Sequence, residues 1–317
     1  MIGRRALLAA GAAAFAAPAS ASPDLRVRGS RAYSESAMVM SVAPDGSSAL
    51  TLRFCRFPEE DQTWLWCHLL KDGELYAFTR HDLSSSRERF ADADRAAYRA
   101  PPARAELSRT GRGESLSDVR LSADLRFHRS RSAPHGPGKL RGRIEARFYP
   151  MEALAGAVLA GRDEVYGACR AQVTIDGRHF VHEGPAKFHE QRQEAPRFEA
   201  PFCYAWLAGE GAAATTLLAA RGAAGGWRLQ GVEAPLAEMA IDRPGERRGA
   251  VWSLRDGRVL TGRLTDLVRY EIPIYNRKWR GSFVRGDLDG RPIVGAVNDW
   301  IAEPDIYAAA NGRMWRP

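Results

Sequence analysis

The sequence predicts an all-β fold, with two consecutive antiparallel β-barrels and few short helices. Asp-Gly pairs recur along the chain, and this dipeptide favours tight hairpin turns because both central residues take positive φ. The pairs are Asp72-Gly73, Asp176-Gly177, Asp256-Gly257 and Asp289-Gly290. Around them, apolar and polar residues alternate with the period of two that is typical of strands. Since both halves of the chain show this pattern, we expect two similar barrels.

In the first half, Leu50–Phe54 alternates as a strand. In the next strand, Trp64, Trp66 and His68 share one face, because residues two apart on a strand point to the same side. The residues between and after them, Leu65, Cys67 and Leu69, form the other face. Further strands are predicted at Arg141–Tyr149, Ala168–Ile175 and Arg178–Glu183, a short helix at Met151–Ala160, and a long loop at Ser84–Gly113. The second half adds predicted strands at Phe202–Leu207, Thr215–Ala220, Trp227–Gln230, Val251–Leu254, Val259–Asp266 and within Ser282–Trp300.

The beginning of the chain predicts a cleaved secretory signal peptide, with a charged start, a short apolar middle and small residues before the cleavage site. Arg4-Arg5 followed by Ala-Leu-Leu resembles a twin-arginine export signal, and Ala19-Ser20-Ala21 gives the cleavage site. We therefore expect a periplasmic protein that starts at Ser22, with no later membrane span. The predicted domains are the signal peptide 1–21, a first barrel 22–183 and a second barrel 184–317.

The formal net charge is +8, of which Arg4 and Arg5 contribute two, leaving +6 for the mature chain. A basic protein raises the question of a nucleic-acid partner, but the arginines are scattered rather than clustered. The lysines are few: Lys71, Lys139, Lys187 and Lys278. Together with export from the cytoplasm, this distribution predicts that the protein does not bind nucleic acid.

Four cysteines in an oxidising compartment permit disulfides. Cys55 and Cys67 flank the loop Phe57–Thr63, so an antiparallel pair of strands would place them nearly opposite each other. Cys169 and Cys203 have no such local argument. The pattern leaves two alternatives, a Cys55–Cys67 bridge or four thiols that serve as small buried hydrophobic groups.

The stretch Arg178–Gly209 contains the most candidate chemistry. It holds His179, His182 and His189, with Glu190 and Gln191 beside the last of them. Prolines within the stretch argue against a helix, and on a strand two histidines three apart face opposite sides. We therefore expect structural histidines rather than a metal site. Because the sequence has no P-loop, no Gly-x-Ser-x-Gly elbow and no dinucleotide fingerprint, we expect no nucleotide cofactor.

Large aromatic residues recur at predicted strand positions. They are Trp64 and Trp66 in the first half, and Tyr204, Trp206 and Trp279 in the second. For any single ring, core packing is the simpler explanation. A face that combines two indoles with the imidazole of His68 favours a half-polar pocket, because an apolar core would leave the imidazole without hydrogen-bond partners.

Several of these features together resemble the double-lipocalin (calycin-like) family. They are the export signal, the strand Trp64-Leu65-Trp66-Cys67-His68 with its Asp-Gly hairpin, the central histidine stretch and the closing hairpin Gly281–Gly295. The family includes carotenoid 1,2-hydratase (hydroxyneurosporene synthase) and the AttH-like secreted proteins. The resemblance implies two lipocalin-like barrels. The chain departs from the family at its acid-His-x-Trp-Gly signature, which reads Phe188-His189-Glu190-Gln191-Arg192 here, and in lacking an acidic residue just after Tyr204.

The resemblance implies an exported hydratase or isomerase that acts on a C=C bond of an apolar, isoprenoid-like molecule in a barrel cavity. The expected catalytic residues are His189, Glu190 and Tyr204, with Glu190 or a protonated His189 as the acid. The expected substrate-binding residues are Trp64, Trp66, His68, Gln191, Trp206 and Trp279. Gln191 or Tyr204 would hold the water, and the rings of Trp66 and Trp206 would stabilise a carbocation. The alternative is a non-catalytic periplasmic carrier of an apolar ligand, and either protein would have at most peripheral contact with a membrane.

Overall fold

The computed structural model describes residues 33–84, 95–110, 115–153, 159, 161–194, 197–198, 200–274, 277–301 and 306–307. The predicted signal peptide and its cleavage site lie outside these residues. Within them, no helix is both long enough and apolar enough to cross a membrane.

Eighteen strands form two β units. The first unit contains β1 (Ser34–Val42), β2 (Ser48–Phe57), β3 (Gln62–Lys71), β4 (Glu74–Ser84), β5 (Arg95–Ala100), β6 (Ala103–Thr110), β7 (Ser115–Arg129), β8 (Leu140–Ala153), β9 (Arg162–Ile175) and β10 (Arg178–Gln193). The second contains β11 (Phe202–Gly209), β12 (Ala212–Ala219), β13 (Gly222–Leu229), β14 (Val232–Ile241), β15 (Arg247–Leu254), β16 (Val259–Ile274), β17 (Arg277–Leu288) and β18 (Arg291–Trp300). A 3-10 turn at Pro58–Glu60 and the helical residues Ile306 and Tyr307 complete the regular structure of the described part.

Both units are antiparallel. The first is one curled ten-stranded sheet of order β4-β3-β2-β1-β10-β9-β8-β7-β6-β5, and its edge strand β4 also pairs with β7 through Tyr76 and Ala77. The second is a closed barrel in which β11 to β18 follow sequence order. This confirms the predicted all-β fold of two consecutive lipocalin-like antiparallel units.

The change from the first unit to the second lies between Gln193 and Phe202 rather than after Glu183. Residues 184–193 therefore belong to the first sheet, where β10 pairs with both β9 and β1. β10 runs through Pro185, two residues beyond the end of the predicted strand. The carbonyl of Pro185 points to the β1 side and accepts a hydrogen bond from Ser41 Oγ at 2.9 Å, and the pairing with β1 ends one residue away at Ala186. Because no strand needs an N–H from Pro185, the strand continues through it.

The alternation of each strand sends one set of apolar residues into the interior of its own unit. In the first unit this set includes Leu50, Leu52, Phe54, Leu65, Cys67 and Leu69. Trp64, Trp66 and His68 lie on the opposite face of β3, as the sequence predicts. The interior of the barrel contains, among others, Cys203, Leu207, Trp227 and Trp252.

The two units pack together through their outer faces, and we call this contact the seam. β1 and β2 are buried at every position, whereas β8 alternates between buried and exposed residues. Since one face of a strand already covers the interior, burial of the other face needs a second layer. Here that layer is the outer face of the barrel around β11, β16, β17 and β18. One apolar cluster joins both units across the seam, and its aromatic members include Trp64, Trp66, Tyr204, Trp206, Trp279 and Trp300.

Three of the four Asp-Gly turns have positive φ at both residues, as the prediction requires. The φ values are 50° and 80° at Asp72-Gly73, 49° and 79° at Asp176-Gly177, and 47° and 77° at Asp289-Gly290. At Asp256-Gly257 only the glycine has a positive φ, 90°. The reason is that the connection from Leu254 to Val259 is longer than a two-residue hairpin loop.

Two segments predicted to be irregular or helical contain strands. Met151–Ala153 continues β8, so the predicted helix Met151–Ala160 does not begin there, and most of its remainder lies outside the described residues. The predicted loop Ser84–Gly113 contains the β5–β6 hairpin, which turns at Pro101-Pro102. In both places the apolar positions are too sparse for the strand period to stand out from the sequence.

The four cysteines are free and buried, which decides between the two alternatives. Cys55 pairs with Trp64 across the β2–β3 hairpin, whereas Cys67 pairs with Leu52. Cys55 lies in the seam and Cys67 inside the first unit. Because the two thiols point to opposite faces of the sheet, they cannot form a bridge.

Candidate active site

A row of side chains crosses the outer face of the first sheet and faces the second unit. Direct pairing connects, in order, Glu164 on β9, His189 on β10, Met38 on β1, Arg53 on β2 and Trp66 on β3. Residues that pair directly across strands lie on the same face of the sheet. The register thus brings a carboxylate, an imidazole, a guanidinium and an indole into one line.

Lys187 lies beside this row, two residues before His189 and therefore on the same face of β10. Its Nζ donates to Glu164 Oε1 at 3.1 Å and contacts His189 Nδ1 at 2.9 Å. From the second unit, the hydroxyl of Tyr204 on β11 accepts from Lys187 at 2.5 Å and donates to Glu164 Oε1 at 2.7 Å. We call Glu164, Lys187, His189 and Tyr204 the seam cluster. All four residues are buried.

Arg162 sets the charge state of Glu164. Its Nε and Nη2 donate to Glu164 Oε1 at 2.9 and 2.6 Å. Burial by itself raises the pKa of a carboxyl group, but Arg162 and Lys187 outweigh it and lower the pKa of Glu164 to about 2. The group is therefore a carboxylate at neutral pH. The side chain of Thr215 on β12 also helps to lower this pKa.

The other members of the seam cluster are shifted chiefly by burial. Burial lowers the pKa of Lys187 to about 7, because the cost of desolvating the ammonium exceeds its attraction to Glu164. Burial and the nearby Arg162 lower the pKa of His189 well below 6.5, so its ring is neutral. Burial and the adjacent carboxylate raise the pKa of the Tyr204 phenol well above 10. At neutral pH, Lys187 is therefore the group in the cluster that gains and loses a proton.

The ring of His189 is held from both sides. Its Nε2 lies 3.3 Å from Ser36 Oγ, and its Nδ1 faces Lys187. When Lys187 is protonated, Nδ1 accepts its hydrogen bond, so the ring proton is on Nε2 and points to Ser36. The imidazole thereby fixes the direction of the Lys187 side chain.

Arg53 lies in the middle of the row, among aromatic rings. Its Cζ is 4.4 Å from the ring centroid of Trp66 and 5.3 Å from that of Trp279. The face of Trp66 was expected to stabilise a carbocation of the substrate. In the structure this face already holds a protein cation.

Gln191 lies on the seam, two residues beyond His189. Its Oε1 accepts from Arg162 Nη1 at 3.3 Å and from Arg197 Nη1 at 3.4 Å. The amide thus connects two guanidinium groups and extends the polar row toward the connection between the two units.

His68 lies on the seam without a hydrogen-bond partner for either ring nitrogen among the described residues. Its ring stacks on Tyr270 at 4.1 Å and 15°, and burial lowers its pKa to about 3. The imidazole is therefore neutral and serves as a flat packing group. Tyr270 in turn lies across Gly281, where a Cβ would overlap its ring.

Glu190 is separated from the other expected catalytic residues. Because it follows His189 on a strand, it points to the opposite face, into the first unit. There it accepts a hydrogen bond from the hydroxyl of Tyr98 at 2.9 Å and forms an ion pair with Arg109. The expectation that His189 and Glu190 line one pocket is wrong, since the sheet lies between them.

The remaining expected substrate-binding residues, Trp64, Trp206 and Trp279, are all buried in the seam. Trp279 Nε1 donates to Asn298 Oδ1 at 3.2 Å, whereas Trp206 Nε1 has no partner among the described residues. Eight of the nine residues singled out from the sequence therefore lie on the seam, and Glu190 does not.

Five further polar residues of the seam were not predicted from the sequence: Glu164, Lys187, Arg162, Arg53 and Arg197. The sequence did contain a pattern that points to Lys187, because it is one of four lysines and lies two residues before His189 and four before Gln191, on the same face of a strand. A pattern points to Glu164 as well. The two-residue turn at Asp176-Gly177 fixes the register of β9 and β10, and continued along the hairpin it places Glu164 opposite His189. The predicted strands ended at Ala168 and Glu183, too early to reach that pair.

The other two histidines of the central stretch have structural partners. His182 is buried between two serines, with Nδ1 2.9 Å from Ser48 Oγ and Nε2 2.8 Å from Ser41 Oγ. His179 is exposed and contacts Thr174 Oγ1 through Nδ1 at 2.8 Å. In the described part of the chain, no three residues of the types His, Cys, Asp and Glu are placed to hold a metal ion.

Comparison with solved structures shows the same double-unit fold in other proteins. The structure of CghA with Sch210972 has a TM-score of 0.56 at 11% identity and covers 85% of this chain and 88% of that one. The protein described as AttH (NE1406) from Nitrosomonas europaea gives 0.54 at 12% identity, with 85% and 92% covered. Kievitone hydratase from Nectria haematococca gives 0.50 at 10% identity, with 85% and 89% covered. At these identities the likeness is one of fold.

No protein-family model matches the sequence. No curated protein sequence matches it either.

Proposed function

We propose that this protein is a hydratase or isomerase that moves a proton on a C=C bond of an apolar, isoprenoid-like small molecule bound at the seam. The observation that carries the proposal is the buried amine of Lys187, held by Glu164 and Tyr204, with a pKa of about 7. A group that exchanges its proton near neutral pH is suited to general acid–base catalysis. A carrier that only encloses an apolar ligand has no need of such a group, so this observation favours an enzyme over a carrier.

The charge states of the seam cluster restrict the kind of C=C bond that Lys187 can protonate. Glu164 is ionised and His189 is neutral at neutral pH, which makes Lys187 the strongest acid of the seam cluster. An ammonium of this strength does not protonate an isolated alkene, because that step produces a carbocation. It does suffice where a carbonyl group conjugated with the C=C bond takes the charge as an enolate. The substrate is therefore an unsaturated carbonyl compound.

Each member of the seam cluster then has a role. In hydration, the amine of Lys187 takes a proton from water as the oxygen adds to the β-carbon, and the ammonium returns the proton to the α-carbon. In isomerisation, the same amine takes the proton from carbon and returns it at another position. When the substrate binds, the hydroxyl of Tyr204 gives up its hydrogen bond to Glu164 and donates to the enolate oxygen instead. Glu164 and His189 hold Lys187 in place.

The solved neighbours motivate this reaction class. Kievitone hydratase is a hydratase by name, and the CghA structure contains the small molecule Sch210972. The proposal also includes export by the twin-arginine route and a periplasmic location after cleavage behind Ala21, on the basis of the sequence. No nucleotide cofactor enters the proposed chemistry.

The test is proton exchange into an unsaturated ketone. Wild-type protein is incubated with β-ionone, an isoprenoid enone, in D2O, and deuterium at the α-carbon is followed by NMR. Reversible hydration introduces deuterium there. Lys187→Met and Tyr204→Phe should each lower the rate about 10²-fold or more. The wild-type rate should rise with pH through about 7, because the free amine is the base.

Two substitutions outside the seam serve as controls. Lys139→Met and Tyr149→Phe change the same residue types at exposed positions and should leave the exchange rate unchanged. Exchange by Lys187→Met at the wild-type rate would refute the assignment of the base. If wild-type protein binds the enone but exchanges no deuterium, the carrier becomes the better description.

A further inference from the structure

Arg53 is a buried cation without an anionic partner among the described residues. The residue is 4% exposed, and neither Nε nor Nη1 has a hydrogen-bond partner in the described part of the chain. Burying an ionised group is costly unless it is paired. Burial, followed by the repulsion of Arg197 and Arg162, lowers its pKa to about 9. The ligand-free protein therefore keeps a guanidinium in an unfavourable place.

Arg197 is a second donor of the same kind. Its Nε donates to Ser34 Oγ at 2.7 Å and its Nη1 to Gln191, while its Nη2 has no partner among the described residues. Arg53, Arg162 and Arg197 all lie close enough to His189 to oppose its protonation. The carboxylate of Glu164 is already held by Arg162 and Lys187. This part of the seam has unused donors and an excess of positive charge.

Apolar surface lies directly against these donors. The ring centroids of Trp66, Trp279 and Phe198 are 4.4, 5.3 and 5.6 Å from Arg53 Cζ. Phe198 is partly exposed and has a φ of 63°, a region that a bulky side chain rarely adopts. Its ring lies beside both Arg53 and Trp279, with its centroid 5.3 Å from that of Trp279, and a flat apolar group of a ligand would fit the same place. Exchange of the two would release the strained backbone of Phe198.

We infer that the seam binds an apolar molecule that carries a carboxylate, with the carboxylate on Arg53 and Arg197 and the apolar part against Trp66 and Trp279. The unused N–H groups on Nε and Nη1 of Arg53 can each donate a charge-assisted hydrogen bond to a carboxylate oxygen. The inference rests on the proposed function and adds a chemical class of substrate to it. The carboxylate is the anchor, and the conjugated carbonyl group lies at Lys187.

Two retinoids that differ in one group provide the test. All-trans-retinoic acid and all-trans-retinol have the same apolar polyene, and only the acid is charged at pH 8. Binding is followed by quenching of tryptophan fluorescence, to which Trp64, Trp66 and Trp279 of the seam contribute. Wild-type protein should bind the acid at least tenfold more tightly than the alcohol. Arg53→Met should remove this preference and leave retinol binding within twofold of wild type, and Arg197→Met should reduce the preference less.

Thermal unfolding separates a binding role of Arg53 from a structural one. Since the substitution removes an unpaired buried charge, ligand-free Arg53→Met should melt at the wild-type temperature or above it. The matched control is Arg143→Met, at an arginine whose side chain is 71% exposed on β8, and it should keep the preference for the acid. Phe198→Ala removes the phenyl ring and leaves its space to a ligand. This variant should bind retinoic acid at least as tightly as wild type does.

Three outcomes would overturn the inference: equal binding of the two retinoids, no binding of either, or a melting temperature of Arg53→Met well below that of wild type. The first outcome leaves the proposed function intact, because an apolar ligand still binds. The proposed function fails on a different result, an unchanged exchange rate in Lys187→Met.

Discussion

Lys187 and Tyr204 form a hydrogen bond across the seam, with 2.5 Å between the amine nitrogen of the first unit and the phenol oxygen of the second. Glu164, Lys187 and His189 come from β9 and β10, and Tyr204 comes from β11. Neither unit by itself contains the complete seam cluster. The packing of the two units therefore determines the candidate chemistry, and substitutions in the seam should change stability as well as activity.

Glu164→Gln should destabilise the protein by about 3–5 kcal/mol, because it leaves Lys187 and Arg162 buried without their counter-charge. The free energy of unfolding is measured in urea at pH 7. Glu145→Gln is the matched control, since Glu145 is a half-exposed carboxylate paired with Arg143, and we expect a change within about 0.5 kcal/mol. Equal losses for the two variants would show that Glu164 is not a buried counter-ion.

Stability should rise as the pH increases from about 7 to about 9. The folded-state pKa of Lys187 is about 7, below its usual value of 10.5. Between these values the unfolded chain binds more protons than the folded protein, so raising the pH favours the folded state. In Lys187→Met this contribution is absent, and the free energy of unfolding should increase less over the same window. Parallel curves for wild type and Lys187→Met would contradict the lowered pKa.

Acidification below about pH 6.5 should destabilise the protein in part through His189. The folded-state pKa of His189 lies well below 6.5, so the unfolded chain takes up the proton first and stability falls with the pH. The difference in unfolding free energy between pH 7 and pH 5 is measured for His189→Gln and for His179→Gln, which replaces an exposed histidine. We expect a smaller acid loss only in His189→Gln, and a similar acid loss in the two variants would rule out this role.

Gly281→Ala should cost about 1–3 kcal/mol, because the new Cβ would overlap the ring of Tyr270, which is itself stacked on His68. Gly245→Ala is the control, since a Cβ there meets only atoms at ordinary contact distance. Urea unfolding of both variants measures the difference. If Gly281→Ala is as stable as the control, the Tyr270 ring can move away from the new Cβ at little cost in free energy.

Unfolding the protein in denaturant without reductant should release four titratable thiols, one for each free cysteine. In the folded state the thiols should be nearly unreactive, because burial raises the pKa of Cys67, Cys169 and Cys203 and thiolates are the reactive form. Reaction with a thiol reagent before and after unfolding gives the number of reactive thiols in the folded and in the unfolded protein. A count of two after unfolding would require a disulfide.

The sequence by itself determined the local structure and part of the site. The period of two predicted the strands at Leu50–Phe54 and around Trp64, Trp66 and His68, together with their faces. The turn at Asp72-Gly73 predicted the register of β3 with β4. The sequence did not place Lys187, His189 and Gln191 on one strand face, because the prolines of the central stretch hid the length of β10.

Only the tertiary structure decided which faces meet. Alternation separates His189 from Glu190, but it does not say which of the two faces the second unit. No local rule brings Tyr204 to Lys187 or surrounds Arg53 with Trp66 and Trp279. Hairpin register acts between neighbouring strands, whereas the seam forms because two outer apolar faces have a lower free energy packed against each other than exposed to water. That packing creates the buried environment that lowers the pKa of Lys187.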